Sequence, residues 1–490
     1  MIYDSVHSPV VGIDLGTTFS SIARWTGSKA EVYCLKGEYN IPSVAYNDGN
    51  QFIIGKIALM KGILNPENMC RGVKRLIGNE YASIKLGDRD YNSIEISAEI
   101  LKYLYRNVEE MFPQGKFRSE GVVVTVPYHF RANEISNTIK AAKMARLNLI
   151  GIIQEPIAAA LAYGLHLSND SLKNENILVF DLGGGTFDLT LFNLNNSQNR
   201  ISFNVLATSG DDKLGGMDFD EELYKYIVDR EGIRLSSCKD KRQQNIAKNK
   251  LMEQVIRAKE ALSFDNSAYI QAFDVPPGNF VDCTVTLYEL KNCIREYTQK
   301  IKRIIRDMFE ERGISPRSVD KVIKIGGSSK IKFIDEIIND VVGEGKIYGD
   351  INPELAVCQG AAIYGAYLNN RVSENKKLEV TLINSHALGL KDDNGDFVEI
   401  IPKNVAIPYK ETVTFTNSED NEREISIEIY QGEHKECQHN KKIGVINVLG
   451  LKESAKGTLN IPVTFYINKD QTIKVIVEQK ESNIYIEKQF

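Results

Sequence analysis

The chain has 490 residues, 42% of them hydrophobic and 26% charged, which is enough for about three domains at roughly 150 residues each. Its 60 Lys and Arg stand against 65 Asp and Glu, and the net charge of -5 offers no sequence-independent attraction to nucleic acid or to an anionic membrane surface, so neither is expected as a partner. Seven scattered cysteines, never spaced CxxC, suit a reducing compartment, and a polar start without any apolar run near eighteen residues predicts a soluble cytoplasmic protein.

In chain order, short β-branched runs come first: SPVVGI at Ser8–Ile13, GVVVTV at Gly121–Val126, NILVF at Asn176–Phe180 and KVIKI at Lys321–Ile325. They alternate with segments of helical period, the pattern of an α/β protein. In Ser97–Phe112 the apolar residues Ile100, Leu101, Leu104, Val108 and Met111 form one stripe, and Ser97 is the expected N-cap. The polar stretch NNRVSENKK, from Asn369 to Lys377, reads as a linker. After Asn384 the period becomes two. Ile425, Ile427 and Ile429 share one face of EISIEIYQ, Ile473, Val475 and Val477 share one face of TIKVIVEQ, and NGD, NSED and INKDQ supply turns, so the remainder is an all-β module.

Two stretches repeat. VVGIDLGTTFS (Val10–Ser20) and LVFDLGGGTFD (Leu178–Asp188) share an apolar strand, Asp, Leu, Gly and then small residues with Thr, and two copies about 170 residues apart predict two related lobes. A third glycine turn, VIKIGGSSKI (Val322–Ile331), also follows an apolar run. Backbone N–H groups at such turns form an anion-binding concavity, and glycine lets the main chain approach phosphate oxygens. Thr17, Thr18 and Thr186 add hydroxyl donors. Asp14 and Asp181, at the strand ends, repel phosphate but suit Mg²⁺, a hard cation that bridges carboxylates and phosphate through its waters. One such turn alone is more often an ordinary turn. Two matched copies and a third specify a metal-nucleotide site, while GxxxxGK[ST] and a GxGxxG with its acidic partner are missing there.

The chain resembles the 70-kDa heat-shock protein chaperones. The resemblance is carried by GIDLGTTFS, VKRLIG (Val73–Gly78), VTVPYHF (Val124–Phe130), IIQEPIAAALAYGL (Ile152–Leu165), VFDLGGGTFDL, GDDKLGGMDFD (Gly210–Asp220) and IGGSSKI. It continues through IIPKNVAIP (Ile400–Pro408) and SEDN to IEIYQGE, ending at Glu433. It implies a two-lobed, actin-like ATPase domain with ribonuclease-H-like lobes over 10–368, an interdomain linker over 369–383, and a β-sandwich peptide-binding domain over 384–490. It further implies ATP and ADP with Mg²⁺ as cofactors, Asp14 and Asp181 ordering the Mg²⁺ waters, and nucleotide held by Gly16, Thr17, Thr18, Phe19, Gly183, Gly184, Gly185, Thr186, Gly215 and Gly216. Lys74 matches the lysine at the γ-phosphate and attacking water, Glu155 and Asp188 match acidic residues around that water, and Pro127 matches a switch proline. Gly326, Gly327, Ser328 and Lys330 match an adenosine-contacting turn, with Lys259 and Ser263 opposite. Without the family, Lys74 would read as a solvated surface group and Glu155 as a helix-start carboxylate.

In the β module, Leu390, Phe415, Ile425 and Ile427 match groove-lining positions for an extended peptide; on pattern alone they would be sandwich core. The resemblance implies slow ATP hydrolysis as a timer, unfolded peptides as clients, J-domain and nucleotide-exchange partners, and a monomer. Departures stand beside it. The helical lid of full-length members has no counterpart before Phe490, which implies fast peptide exchange. KKLEVTLIN (Lys376–Asn384) replaces the family's leucine-rich linker, implying weaker or differently wired docking. Asp392 and Asp393 replace an uncharged arch and disfavour apolar side chains. Ile135 and Gly151 replace arginines used in domain communication and J-domain contact, which weakens the case for an ordinary J-protein. Ile256, Glu260 and Lys330 alter the ribose and adenine surroundings. HKECQH (His434–His439) has too few candidates for a zinc site. Two other functions remain open at this point. A nucleotide-bound co-chaperone or exchange factor would show little or no ATPase activity, and a small-molecule kinase of the same superfamily would leave the β module unexplained.

Overall fold

The repeated Asp-Leu-Gly turns close two hairpins of the same design. In the computed structural model, which describes residues 9–79, 81–113, 117–166, 173–197, 200–349, 352–372, 377–392 and 394–490, the strand Val10–Asp14 runs antiparallel to Phe19–Trp25 and parallel to Gly121–Val126, beside which lies Leu149–Gln154. The second copy repeats this: Lys173–Leu182 runs antiparallel to Phe187–Asn196 and parallel to Lys321–Ile325. Parallel strands need crossover helices that cover the sheet faces, and their residues are then apolar throughout. Every residue of Gly121–Val126 is accordingly buried.

Between the lobes lie the helices Glu155–His166 and Ala356–Leu368. They approach so closely that a Cβ on Gly360 would stand 1.7 Å from the Ala158 carbonyl oxygen; only glycine permits that crossing. One apolar cluster joins Val123 and Ile153 of the first lobe, Val179 and Ile323 of the second, and Ile157, Leu161, Val357 and Ile363 of the two helices, so the lobes are hinged on a shared core.

The helix read from Ser97 starts earlier, at Ser93, and ends at Glu109. Its cap is Asn92, whose side chain accepts the Glu95 N–H while Glu95 accepts the Asn92 N–H. That reciprocal pair satisfies two orphan donors of the first turn, and Ser97 is buried within the helix.

The segment expected as a linker divides. Lys377–Ile383 is a strand that pairs in parallel with Arg200–Asp211 of the second lobe and, at its far end, antiparallel with Ala406–Ile407 of the β module. Its end is fixed by Tyr128, buried in the first lobe's loop, whose hydroxyl donates to the Ile383 carbonyl at 2.5 Å and accepts the Ile383 N–H at 3.3 Å. An exposed edge strand of the second lobe is thereby covered. The altered linker sequence implies docking that is weaker or differently wired; its second half is wired as this paired strand.

The β module is a sandwich. One sheet has the order Phe397–Ile401, Leu388–Lys391, Glu424–Gln431, Lys441–Leu449, and the other Tyr409–Phe415, Ile461–Ile467, Ile473–Gln479, Ile484–Gln489. Ile427, Ile429, Val463, Phe465, Ile473, Val475 and Val477 fill the space between, as inward faces of two alternating sheets should. Leu390 and Ile427 are buried in this core, while Phe415 and Ile425 are half-buried and pack against it.

Candidate active site

The cleft between the lobes encloses about 600 Å³, within the usual range for small-molecule sites. Of the residues expected to meet nucleotide or metal, Asp14, Gly16, Thr17, Thr18, Phe19, Lys74, Glu155, Asp181, Gly183, Gly184, Gly185, Thr186, Gly216, Lys259, Ser263, Gly326, Gly327, Ser328 and Lys330 line it. Gly215 and Asp188 do not; Gly215 lies against Gly184, where a Cβ would meet that residue's backbone at 2.7 Å.

The two Asp-Leu-Gly turns interlock at the floor. A Cβ on Gly184 would stand 1.7 Å from Thr18 Oγ1, so the second turn can reach the first only without a side chain. The backbone N–H groups of Gly216 and Met217 then bond to the carbonyls of Gly183 and Gly184 at 2.9 and 2.8 Å. Thr18 Oγ1 is buried without a protein partner, a donor left over for a ligand oxygen.

Lys74 is only 4% exposed, on the single turn Val73–Leu76. Its Nζ is paired with Glu155 Oε1, at the start of the central helix, and lies 5.7 Å from the centre of the Phe130 ring. Four carboxylates gather around this one cation: Asp14, Glu155, Asp181 and Asp188 are mutually close enough to perturb one another. Burial pushes the Glu155 carboxyl up to about 7, with Lys74 opposing and Asp14 and Asp188 adding to the rise. Burial, then repulsion from Glu155, Asp188 and Asp14, pushes Asp181 well up. Asp14 is raised by burial although Lys74 and a 3.0 Å bond from Thr125 lower it. Such uncompensated negative charge disfavours ionisation. Oxygen-only donors with surplus charge fit Mg²⁺ in its water shell.

At the outer end, Lys259 is paired with Asp220 at 2.8 Å and donates to the Gly216 carbonyl at 3.1 Å. Lys330 instead pairs with Glu354 at 2.7 Å, and Glu354 also accepts from Asn40 of the opposite lobe at 2.9 Å. Further bridges hold the lobes together: Arg71 to Glu253 at 3.1 Å, and Arg75 to Asp218 at 2.5 Å and to the Gly185 carbonyl at 2.7 Å. The cleft is therefore closed over its floor.

A family model described as "Hsp70 protein" matches residues 10–86 and 82–489. The chain belongs to the Hsp70 family. Among curated relatives, the "Chaperone protein dnaK" of Emiliania huxleyi is 32% identical over 97% of this chain and 78% of that protein. The "Chaperone protein DnaK" of Buchnera aphidicola subsp. Schizaphis graminum (strain Sg) is also 32% identical, over 96% of this chain and 77% of its own length.

Within this Hsp70 chain the departures noted in sequence have structural settings. Ile135 is buried in the apolar core of the first lobe, and Gly151 faces the end of the Leu368 side chain, which a Cβ would meet at 2.8 Å. Ile256 and Glu260 line the cleft's outer end. Asp392 closes a turn, accepting the N–H groups of Asn394 and Asp396 at 2.9 and 2.7 Å, and Asp393 lies outside the described residues. Cys437 is buried with its Sγ 3.5 Å from the Asp396 carbonyl. Sequence reasoning missed Thr125, Arg75, Asp220 and His129. Each lies inside a quoted motif, but nothing in its spacing distinguishes a partner of the site from an ordinary strand or surface residue.

Proposed function

We propose that the cleft hydrolyses ATP slowly with Mg²⁺, and that the nucleotide state governs peptide binding by the β module. Membership of the Hsp70 family makes the protein an ATP-dependent molecular chaperone and an ATPase. The observation that carries the residue roles is the buried set of four carboxylates around Lys74, opposite glycine turns with donors to spare. Asp14 and Asp181 would hold the hydrated Mg²⁺, which when bound would offset phosphate charge and bridge it to the protein. Thr17, Thr18, Thr186 and the backbone N–H groups of Gly184 and Gly185 bind the phosphates, while the Gly183 N–H closes the turn on the Thr186 carbonyl at 3.1 Å. Lys74 stabilises charge on the transferring phosphoryl group.

Asp188 stands opposite the cleft-lining Asp181 across the hairpin, and its Oδ2, buried without a protein partner, would accept a hydrogen bond from an attacking water that reaches behind the lining. Glu155 is tied to Lys74 and the other Asp188 oxygen to His129, so neither is a strong base, in keeping with slow turnover. The ATP and ADP states then favour different domain arrangements. This complete set disfavours a nucleotide-bound exchange factor without turnover.

In the β module, Phe415 and Ile425 would meet an extended peptide while Leu390 and Ile427 form the floor beneath, and the carboxylate of Asp392 favours basic peptides. Unfolded peptides and co-chaperones are the family's general partners. No helix among the described residues is long and apolar enough to cross a membrane; the seven free cysteines suit a reducing compartment such as the cytoplasm. Single-turnover ATP hydrolysis with and without a peptide library tests the reading. Peptides should accelerate hydrolysis; turnover indifferent to every peptide would detach the ATPase from the β module.

A further inference from the structure

The cleft and the β module meet through two histidines. His129 follows the strand Gly121–Val126 in the first lobe, and both its backbone N–H and its Nδ1 reach Asp188 Oδ1, at 3.2 and 2.7 Å. A carboxylate at this distance accepts, so Nδ1 carries the hydrogen. The His129 carbonyl in turn accepts from Nε2 of His386 at 2.9 Å. His386 is buried at the entrance of the β module, its Nδ1 3.2 Å from Glu433 Oε1, and the two imidazoles meet edge to face at 5.8 Å. Gln431, two residues before Glu433, accepts the Ala132 N–H at 3.1 Å. Leu388 and Gln431 are paired across adjacent strands, and His386 lies in the bend two residues before Leu388, so the β module presents His386 and Gln431 side by side.

These contacts bear on the chemistry because Asp188 has two oxygens in different circumstances. Oδ1 is held twice by His129, whereas Oδ2 is buried with no partner. With Oδ1 pinned, the carboxylate plane is set and Oδ2 keeps one direction; without the pin, repulsion from Glu155 and Asp181 is free to turn it. We propose that His129 is a positioning residue for ATP hydrolysis that orients Asp188, and that the docked β module tightens this hold through His386. The inference rests on the cleft being the hydrolytic site. Neither histidine takes part in bond making or breaking: His129 only orients, and His386 only braces the main chain of His129.

The test uses the full chain and its variants His129→Leu, His129→Asn, His386→Leu and His129→Leu/His386→Leu, with single-turnover ATP hydrolysis and ADP affinity by calorimetry. His129→Leu should slow hydrolysis by about 10–100-fold with ADP affinity within about threefold, the split expected when an interaction serves the transition state. His129→Asn, which keeps an N–H donor, should recover most of that loss. His386→Leu should cost about 3–10-fold alone and little more in the His129→Leu background, since coupled residues are non-additive. A His129→Leu rate equal to wild type, equal losses of rate and ADP affinity, no recovery with asparagine, or full additivity of the two sites would each overturn the inference. Should His129→Leu not fold, the asparagine and His386 comparisons decide it. Wild-type protein that does not turn over would instead sink the hydrolytic reading of the cleft.

Discussion

Replacing Lys74 by alanine removes the cation paired within the buried carboxylate cluster, and the effect can be worked from the charges around it. Even with Lys74 beside it, Glu155 sits at about 7 against an ordinary 4.5, a bias of about 3 kcal/mol against its ionised form. Without Lys74 that bias grows, so Glu155 takes up a proton at neutral pH instead of remaining an unpaired buried charge. The folded state is thereby spared the full cost of about 3–5 kcal/mol seen when one partner of a buried pair is deleted. The loss should fall on chemistry, because a neutral Glu155 cannot replace a positive charge at the transferring phosphoryl group. Removing one such stabilising group costs about 10²–10³-fold in rate. ADP affinity should change by less than about tenfold, since the glycine turns remain. Single-turnover hydrolysis, calorimetry with ADP and a thermal melt separate these quantities. A rate within about threefold of wild type would refute the assignment of Lys74 to the transition state.

Asp14, Glu155 and Asp181 all have raised pKa values, so these three sites hold more protons in the folded nucleotide-free protein than in the unfolded chain. Their stabilising contribution is full below pH 3.8, the ordinary aspartate value, and is lost as pH rises through about 7. Through these three groups stability falls across that interval, so Mg²⁺ with ADP should raise the melting temperature more at neutral pH than at acid pH. An identical pH slope with and without Mg²⁺ and ADP would contradict this. Gly184→Ala drives a Cβ to 1.7 Å from Thr18 Oγ1; stability should drop by about 1–3 kcal/mol, as at overpacked sites, and calorimetry should show a loss of nucleotide affinity, whereas wild-type affinity would place the phosphates elsewhere. Tyr128→Phe leaves the N–H and C=O of Ile383 without their buried partner, at a cost of about 1–3 kcal/mol. Hydrogen exchange should then quicken across Lys377–Ile383 and stay slow in Gly121–Val126; equal protection in both proteins would show that the strand is held by its ladder alone.

Much of the cleft is legible in the sequence. Asp14 and Asp181 stand at the ends of apolar strands and are followed by glycines, and that order is itself the chemistry of a backbone approaching phosphate. The collinear run from GIDLGTTFS to IGGSSKI placed the remaining residues around the same cleft, with Gly215 and Asp188 just outside its lining. The Asn92 cap was missed because a serine before an apolar stripe is an equally good local signal, and only the reciprocal bonds with Glu95 decide between them. Ile425 and Ile427 share a face by alternation, yet one is half-buried and the other wholly inside, a difference set by the opposing sheet. His129 carried no periodic or spacing signal at all.

The amino-acid order alone determined the two-lobed repeat, the phosphate turns and the change to an all-β module, because strand and helix periods and glycine turns are local properties of consecutive residues. The tertiary structure decided that Lys377–Ile383 would be a strand, that Arg75 and Arg71 would bridge the lobes, and that Asp188, His129 and His386 would stand in one line. These depend on partners more than fifty residues away in sequence. A polar segment becomes a strand, or a histidine a support for a carboxylate, only where a distant edge or oxygen is brought within hydrogen-bonding reach.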